Sequence, residues 1–202
     1  MNHTYQNTHL IVSYLYGTEG SLKGETVYNQ VVLSQRYNIK LTLIRPKIYY
    51  IFHNQEDPEV VYKDRYKKTF VKTQNVILFP DSIKKKSRIY SIEKAHLFTI
   101  EEIKSILFQI KKINPQAMVI FLGLDRDHFG NVYDSHTYLM SISTYTERLP
   151  SECVVCGEQA EYTQATDENG VEIFLNSLED QILYELYEPR CEDCFIYPEN
   201  DT

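Results

Sequence analysis

The only four cysteines of the chain stand as two C-x-x-C pairs, Cys153 with Cys156 and Cys191 with Cys194. A two-residue spacer lets both thiolates of a pair face one tetrahedral ion, so the two pairs together predict a structural zinc ribbon. Gly157, after the first pair, and Pro189, two residues before the second, favour the chain reversals that a ribbon needs. The competing reading is two structural disulfides of a secreted domain, but the start of the sequence lacks the charged and apolar regions of a signal peptide. A four-sulfur site keeps no open coordination position, so its metal holds structure and chemistry must be sought upstream. The ribbon would close residues 157–190 into a loop of fixed base, presented to that upstream part.

The 202 residues suit one domain of moderate size plus a small appended one. The organisation expected is an α/β domain over 1–149, a ribbon with a lasso-type loop over 150–197 and a free tail over 198–202. A net charge of −7 argues against a nucleic-acid partner. The basic run Lys84, Lys85 and Lys86 reads as a solvated turn. No apolar run approaches a membrane span, and cytoplasmic residence is expected.

Residues 9–16 (HLIVSYLY) are short, apolar and rich in Val, Ile and Tyr, which predicts a buried strand. A glycine-rich turn over Gly17 to Thr26 follows, then a helical pattern through Val27, Val31, Val32 and Leu33, then a strand over 39–45 that stops at Pro46. This is the first βαβ unit of a parallel sheet flanked by helices. Residues 47–75 are charged and Tyr-rich and read as strand fragments with a mobile loop. Further strands are predicted at 76–79, 88–92, 117–122 and 144–149. A helix is predicted from an N-cap at Thr99, with Glu102 three residues on, and another over 134–142.

Such a glycine loop ordinarily cradles phosphate, in the pattern G-x-x-x-x-G-K-[ST]. Counted from Glu19, the last glycine and the hydroxyl fall on Gly24 and Thr26, and Glu25 takes the place of the lysine. Gly20 comes one residue late and Lys23 precedes the glycine. On this count Gly20, Lys23, Gly24 and Thr26 form a degenerate loop that does not hold Mg-ATP in the usual way, because a carboxylate beside phosphates repels them by several kcal/mol.

From the first strand to the second cysteine pair, the chain resembles the zinc-containing, type II thymidine kinases. Ile44, Arg45 and Pro46 match their strand ending in Arg-Pro or Lys-Pro, and Glu93, Lys94, Ala95, His96 and Leu97 match Asp-Glu-x-Gln-Phe. Gly123, Leu124, Asp125, Asp127, Gly130 and Tyr133 match the GLDxDFxGxPF loop. Cys153 through Gly157, Ala160 and Thr163 match the first cysteine motif, and Tyr187, Cys191, Cys194 and Phe195 match the second. The resemblance implies a P-loop-type fold, a homo-oligomer (dimer or tetramer), a structural zinc on Cys153, Cys156, Cys191 and Cys194, and a nucleoside pocket at Leu124, His128, Tyr133, Thr163 and Tyr187.

The chain departs from the family where the family does its chemistry. The general-base glutamate falls on Lys94 and the neighbouring Mg²⁺-linked aspartate on Glu93; His96 replaces a Gln, His128 a Phe and Ala165 an Arg. General-base help is typically worth 10²–10⁴-fold, and losing it together with a charge clamp removes roughly 5–8 kcal/mol of transition-state stabilisation. The expectation is therefore a pseudoenzyme that binds a nucleoside, a nucleotide or a protein partner. The alternatives are a working deoxynucleoside kinase in which Lys23 or Lys94 reaches the phosphates and Glu93 becomes the base, and a purely structural oligomer. Lys94 is expected to pair with Glu93, Glu25 or another carboxylate, and His96 and His128 to have hydrogen-bonded structural roles.

Overall fold

The computed structural model describes residues 9–52, 60–63, 70–73, 76–184 and 186–198. The chain runs β1 (Ile11–Tyr16), α1 (Lys23–Arg36), β2 (Leu41–Pro46), α2 (Lys47–Phe52), β3 (Val60–Lys63), β4 (Phe70–Thr73), β5 (Val76–Phe79) and β6 (Ile89–Ile92). It continues through α3 (Ile100–Ile113), β7 (Met118–Gly123), α4 (Asp134–Ile142), β8 (Tyr145–Arg148), β9 (Tyr162–Ala165), α5 (Leu178–Leu183) and β10 (Tyr187–Arg190). Six strands form one parallel sheet in the order β5-β2-β6-β7-β1-β8. The antiparallel pairs β9 with β10 and β3 with β4 stand apart from it.

The sheet is apolar on both faces, and successive residues serve opposite cores, as a period of two dictates. Ile44 and Phe121 pack with Ile103, Ile106 and Ile110 of α3 and Leu139 of α4. Their sequence neighbours Leu43 and Leu122 pack with Val27 and Val31 of α1 on the other side. Helix α3 begins where its capping box predicts: the Thr99 hydroxyl accepts from the Glu102 N–H at 3.2 Å, and the Glu102 carboxylate accepts from the Thr99 N–H at 2.9 Å. Its stripe Ile103, Ile106 and Ile110 is fully buried, worth roughly 1.5–3 kcal/mol for each side chain.

Residues 47–52 are a correction to the expected strand fragments. This run of Ile, Tyr and Phe is helical and follows directly on Pro46, the last residue of β2. The strand fragments β3 and β4 do form in the rest of that stretch; the loop expected around them and the end of the tail lie outside the described residues. No described helix is long and apolar enough to cross a membrane.

Parallel strands put their C-terminal ends on one edge. Gly17 after β1, Glu93 and Lys94 after β6, and Leu124 and Asp125 after β7 therefore meet there, the crevice in which open α/β sheets bind ligands.

Candidate functional site

The glycine turn is built around Lys23. Helix α1 starts at this residue, and its ammonium donates to the carbonyls of Gly17 at 3.1 Å and Thr18 at 2.5 Å and to the Ser21 hydroxyl at 2.7 Å. All three of its N–H bonds are thus used inside the loop. Gly17 has φ +154°, and a Cβ there would lie 2.8 Å from the Leu149 carbonyl, so only glycine opens this turn. This geometry corrects the count made from Glu19. The lysine of the loop is Lys23, the first glycine is Gly17, and Leu22 and Gly24 occupy the last glycine and hydroxyl positions. The reason is that the lysine must sit at the first helical residue to reach back over the loop, whereas Glu25 lies within the first turn of α1. Thr26, expected as the hydroxyl ligand, instead donates to the Leu22 carbonyl at 2.9 Å. Gly20, at φ +75°, is a turn residue beside the Pro189 ring.

Burial lowers the Lys23 pKa to about 8; the charges of Lys94 and Arg148 add to this, and those of Glu19 and Asp125 oppose it. The loop is tied to the C-terminal region, because the Glu19 N–H donates to the Thr163 hydroxyl at 3.0 Å and the Thr18 hydroxyl meets that of Ser151 at 2.5 Å.

Glu93 is buried at the end of β6 and is ion-paired with Arg45 on the adjacent strand β2. Among the described residues, the expected pair between Lys94 and Glu93, Glu25 or another carboxylate is not made. Lys94 has left-handed backbone, φ 52° and ψ 45°, and among the described residues its ammonium lies over the Tyr49 ring, 4.3 Å from the centroid, with no ion pair. Its pKa is lowered, first by burial and then by Arg45, against the pull of Glu19 and Glu93. Asp125 is held by Arg148 of β8 at 3.0 Å.

A cavity of about 240 Å³ opens beside these groups. Leu124, His128, Tyr133, Thr163 and Tyr187, the five residues expected to face a nucleoside, all line it, together with Glu19, Lys94 and His96. Leu97 lines it too, and sequence reasoning missed the rest of the wall: Tyr49 of α2 and Leu178, Gln181, Ile182 and Tyr184 in and just after α5. The Ser177 cap of α5, whose hydroxyl accepts from the Asp180 N–H at 3.0 Å, was a legible signal for that helix. Both histidines of the wall accept backbone bonds, His96 Nδ1 from the Leu124 N–H at 3.1 Å and His128 Nε2 from the Leu175 N–H at 3.0 Å. Burial lowers the pKa of each, and for His96 the charges of Lys94 and Lys23 lower it further. Both rings are therefore neutral near pH 7, and the proton of His96 sits on Nε2.

The four cysteine sulfurs lie within 4.8 Å of one another and form no disulfide. A tetrahedral ZnS₄ centre with bonds near 2.3 Å has edges of about 3.8 Å, so the cluster fits a metal ion of that size. Each pair sits on a tight turn: the Gly157 N–H donates to the Cys153 carbonyl at 2.9 Å, and the Phe195 N–H to the Cys191 carbonyl at 3.0 Å. The strands β9 and β10 that carry Thr163 and Tyr187 end at this cluster.

By fold, this is an α/β protein with a six-stranded parallel sheet and a four-cysteine cluster in its C-terminal region. The sequence profile described as thymidine kinase matches residues 11–195, and the chain belongs to that family. It is 29% identical over 126 residues to the thymidine kinase of Rhodothermus sp. (strain ITI 518), covering 62% of this chain and 53% of that protein. It is 30% identical over 83 residues to the thymidine kinase of Bacteroides thetaiotaomicron, covering 41% of this chain and 39% of that protein. The chain thus spans about half or less of the length of these relatives.

Proposed function

We propose that the cavity binds a nucleoside, thymidine being the first to test, and that phosphoryl transfer from ATP is lost or severely impaired. The observation that carries this reading is Lys94, an amine in the cavity wall at the position where the resemblance implies a general base. Charged, it has no lone pair with which to take a proton from a sugar hydroxyl.

The phosphate loop retains its lysine, so a phosphate can be met there if Lys23 leaves its three intraloop acceptors. The residues present do not fit the usual Mg²⁺ site. Gly24 offers no hydroxyl, and the Glu93 carboxylate is engaged by Arg45. A zinc ion on the cysteine cluster would have a structural part, fixing β9 and β10 so that Thr163 and Tyr187 face the cavity. A homo-oligomer and a protein partner belong to this reading, and sedimentation velocity on the purified protein tests the first.

A second reading has one observation in its favour: burial lowers the Lys94 pKa, which moves the amine toward the neutral form that can accept a proton. Purified protein incubated with Mg²⁺, ATP and radiolabelled thymidine separates the two. No thymidine monophosphate above the enzyme-free blank, together with calorimetric binding of thymidine, is the expected result. Turnover that Lys94→Gln abolishes would establish the second reading, and absence of thymidine binding would leave a structural oligomer.

A further inference from the structure

We infer that Lys94 provides an anion subsite in the cavity, so that the ligand is a nucleoside 5′-phosphate in preference to the free nucleoside. This rests on the nucleoside reading above and specifies the ligand of that same site.

Lys94 stands in the cavity wall with an aromatic ring as its contact and no carboxylate paired to it among the described residues. Its chain neighbour Glu93 is turned to Arg45. The left-handed backbone at Lys94, rare for a non-glycine residue, separates the two side chains and sends the amine toward the ring of Tyr49 at the cavity. A desolvated ammonium without a counter-ion is unfavourable, and a ligand anion relieves that cost, whereas a neutral hydroxyl does so only weakly.

The surroundings point the same way. Lys23 and Lys94 sense each other's charge, and both act on His96, whose one N–H is on Nε2. Against these stands Glu19, an exposed residue that also lines the cavity and whose charge acts on both lysines without pairing with Lys94. The same wall carries Leu124, Tyr133, Ile182 and Tyr187, apolar and aromatic surface that suits a flat base. A ligand that joins an aromatic base to a phosphate monoester matches this lining.

The test is calorimetry on the full zinc-loaded chain without Mg²⁺, titrated with thymidine, thymidine 5′-monophosphate and inorganic phosphate in turn. Wild type is compared with Lys94→Gln and Lys94→Arg, whose folding is checked by circular dichroism. Wild type is expected to bind the monophosphate at least tenfold more tightly than thymidine. Lys94→Gln should close that gap, and Lys94→Arg should keep it. Thymidine binding as tightly as its monophosphate, or a gap that persists in Lys94→Gln, overturns the inference and leaves the nucleoside reading standing. Inorganic phosphate binding as tightly as the monophosphate also overturns it. Binding of neither nucleoside nor nucleotide removes the nucleoside reading and the inference with it. Should Lys94→Gln fail to fold, the wild-type comparison of the three ligands decides alone.

Discussion

Replacing Lys94 with glutamate, in a background where Gly24 is threonine, should install phosphoryl-transfer activity. The backbone tolerates both changes. A Cβ at Gly24 meets no atom within 4 Å, so the threonine hydroxyl is added at the phosphate loop without a clash and with a better helix former than glycine. Glutamate at φ 52° bears the same backbone cost that lysine already bears. The new carboxylate keeps Arg45 and Glu93 as a closed pair beside it and faces Lys23, which holds it ionised at neutral pH. A positioned general base is worth 10²–10⁴-fold, or about 2.7–5.4 kcal/mol at 1.36 kcal/mol per decade. Measured as thymidine monophosphate formed per minute with Mg-ATP, Lys94→Glu should exceed wild type by at least 100-fold, and the double variant should exceed Lys94→Glu again. The rate should rise with pH as the carboxylate ionises. A double variant that binds thymidine like wild type yet turns over no faster would refute the assignment of Lys94 as the block.

Ile106→Ala should lower unfolding free energy by about 2–5 kcal/mol in urea titration, because the side chain is fully enclosed between α3 and the sheet. One zinc per chain is expected by elemental analysis. Chelation or Cys156→Ser should abolish nucleoside binding as β9 and β10 lose their anchor, and a metal-free chain that binds unchanged would contradict that role. Anion affinity at the phosphate loop should be full below about pH 8 and fall as pH rises through that value, because Lys23 has a depressed pKa and is neutral above it. Phosphate titrations from pH 6.5 to 9.5 check the sign, and a flat profile up to pH 9.5 would contradict the buried position of Lys23.

The one-sided helix α3, the apolar strands and the cysteine cluster were legible because each is a local pattern. Thr99 and Glu102 cap each other within one turn, Phe121 and Leu122 alternate faces whatever lies beyond them, and two C-x-x-C pairs have few uses. The loop count went astray because glycines recur at Gly17, Gly20 and Gly24, so spacing alone admits two registers. Only the start of α1 and the reach of Lys23 back to Gly17 and Thr18 choose between them.

The sequence by itself thus determined the parallel sheet, its flanking helices and the cysteine centre, and its resemblance to a family pointed to five residues that line the cavity. Tertiary structure decided the pairing of charges. Glu93 meets Arg45 because β2 and β6 are neighbours in the sheet, leaving Lys94 to the ring of Tyr49. The physical reason is range: backbone conformation follows from near neighbours in the chain, whereas the partner of a buried charge depends on which distant segments the fold brings alongside.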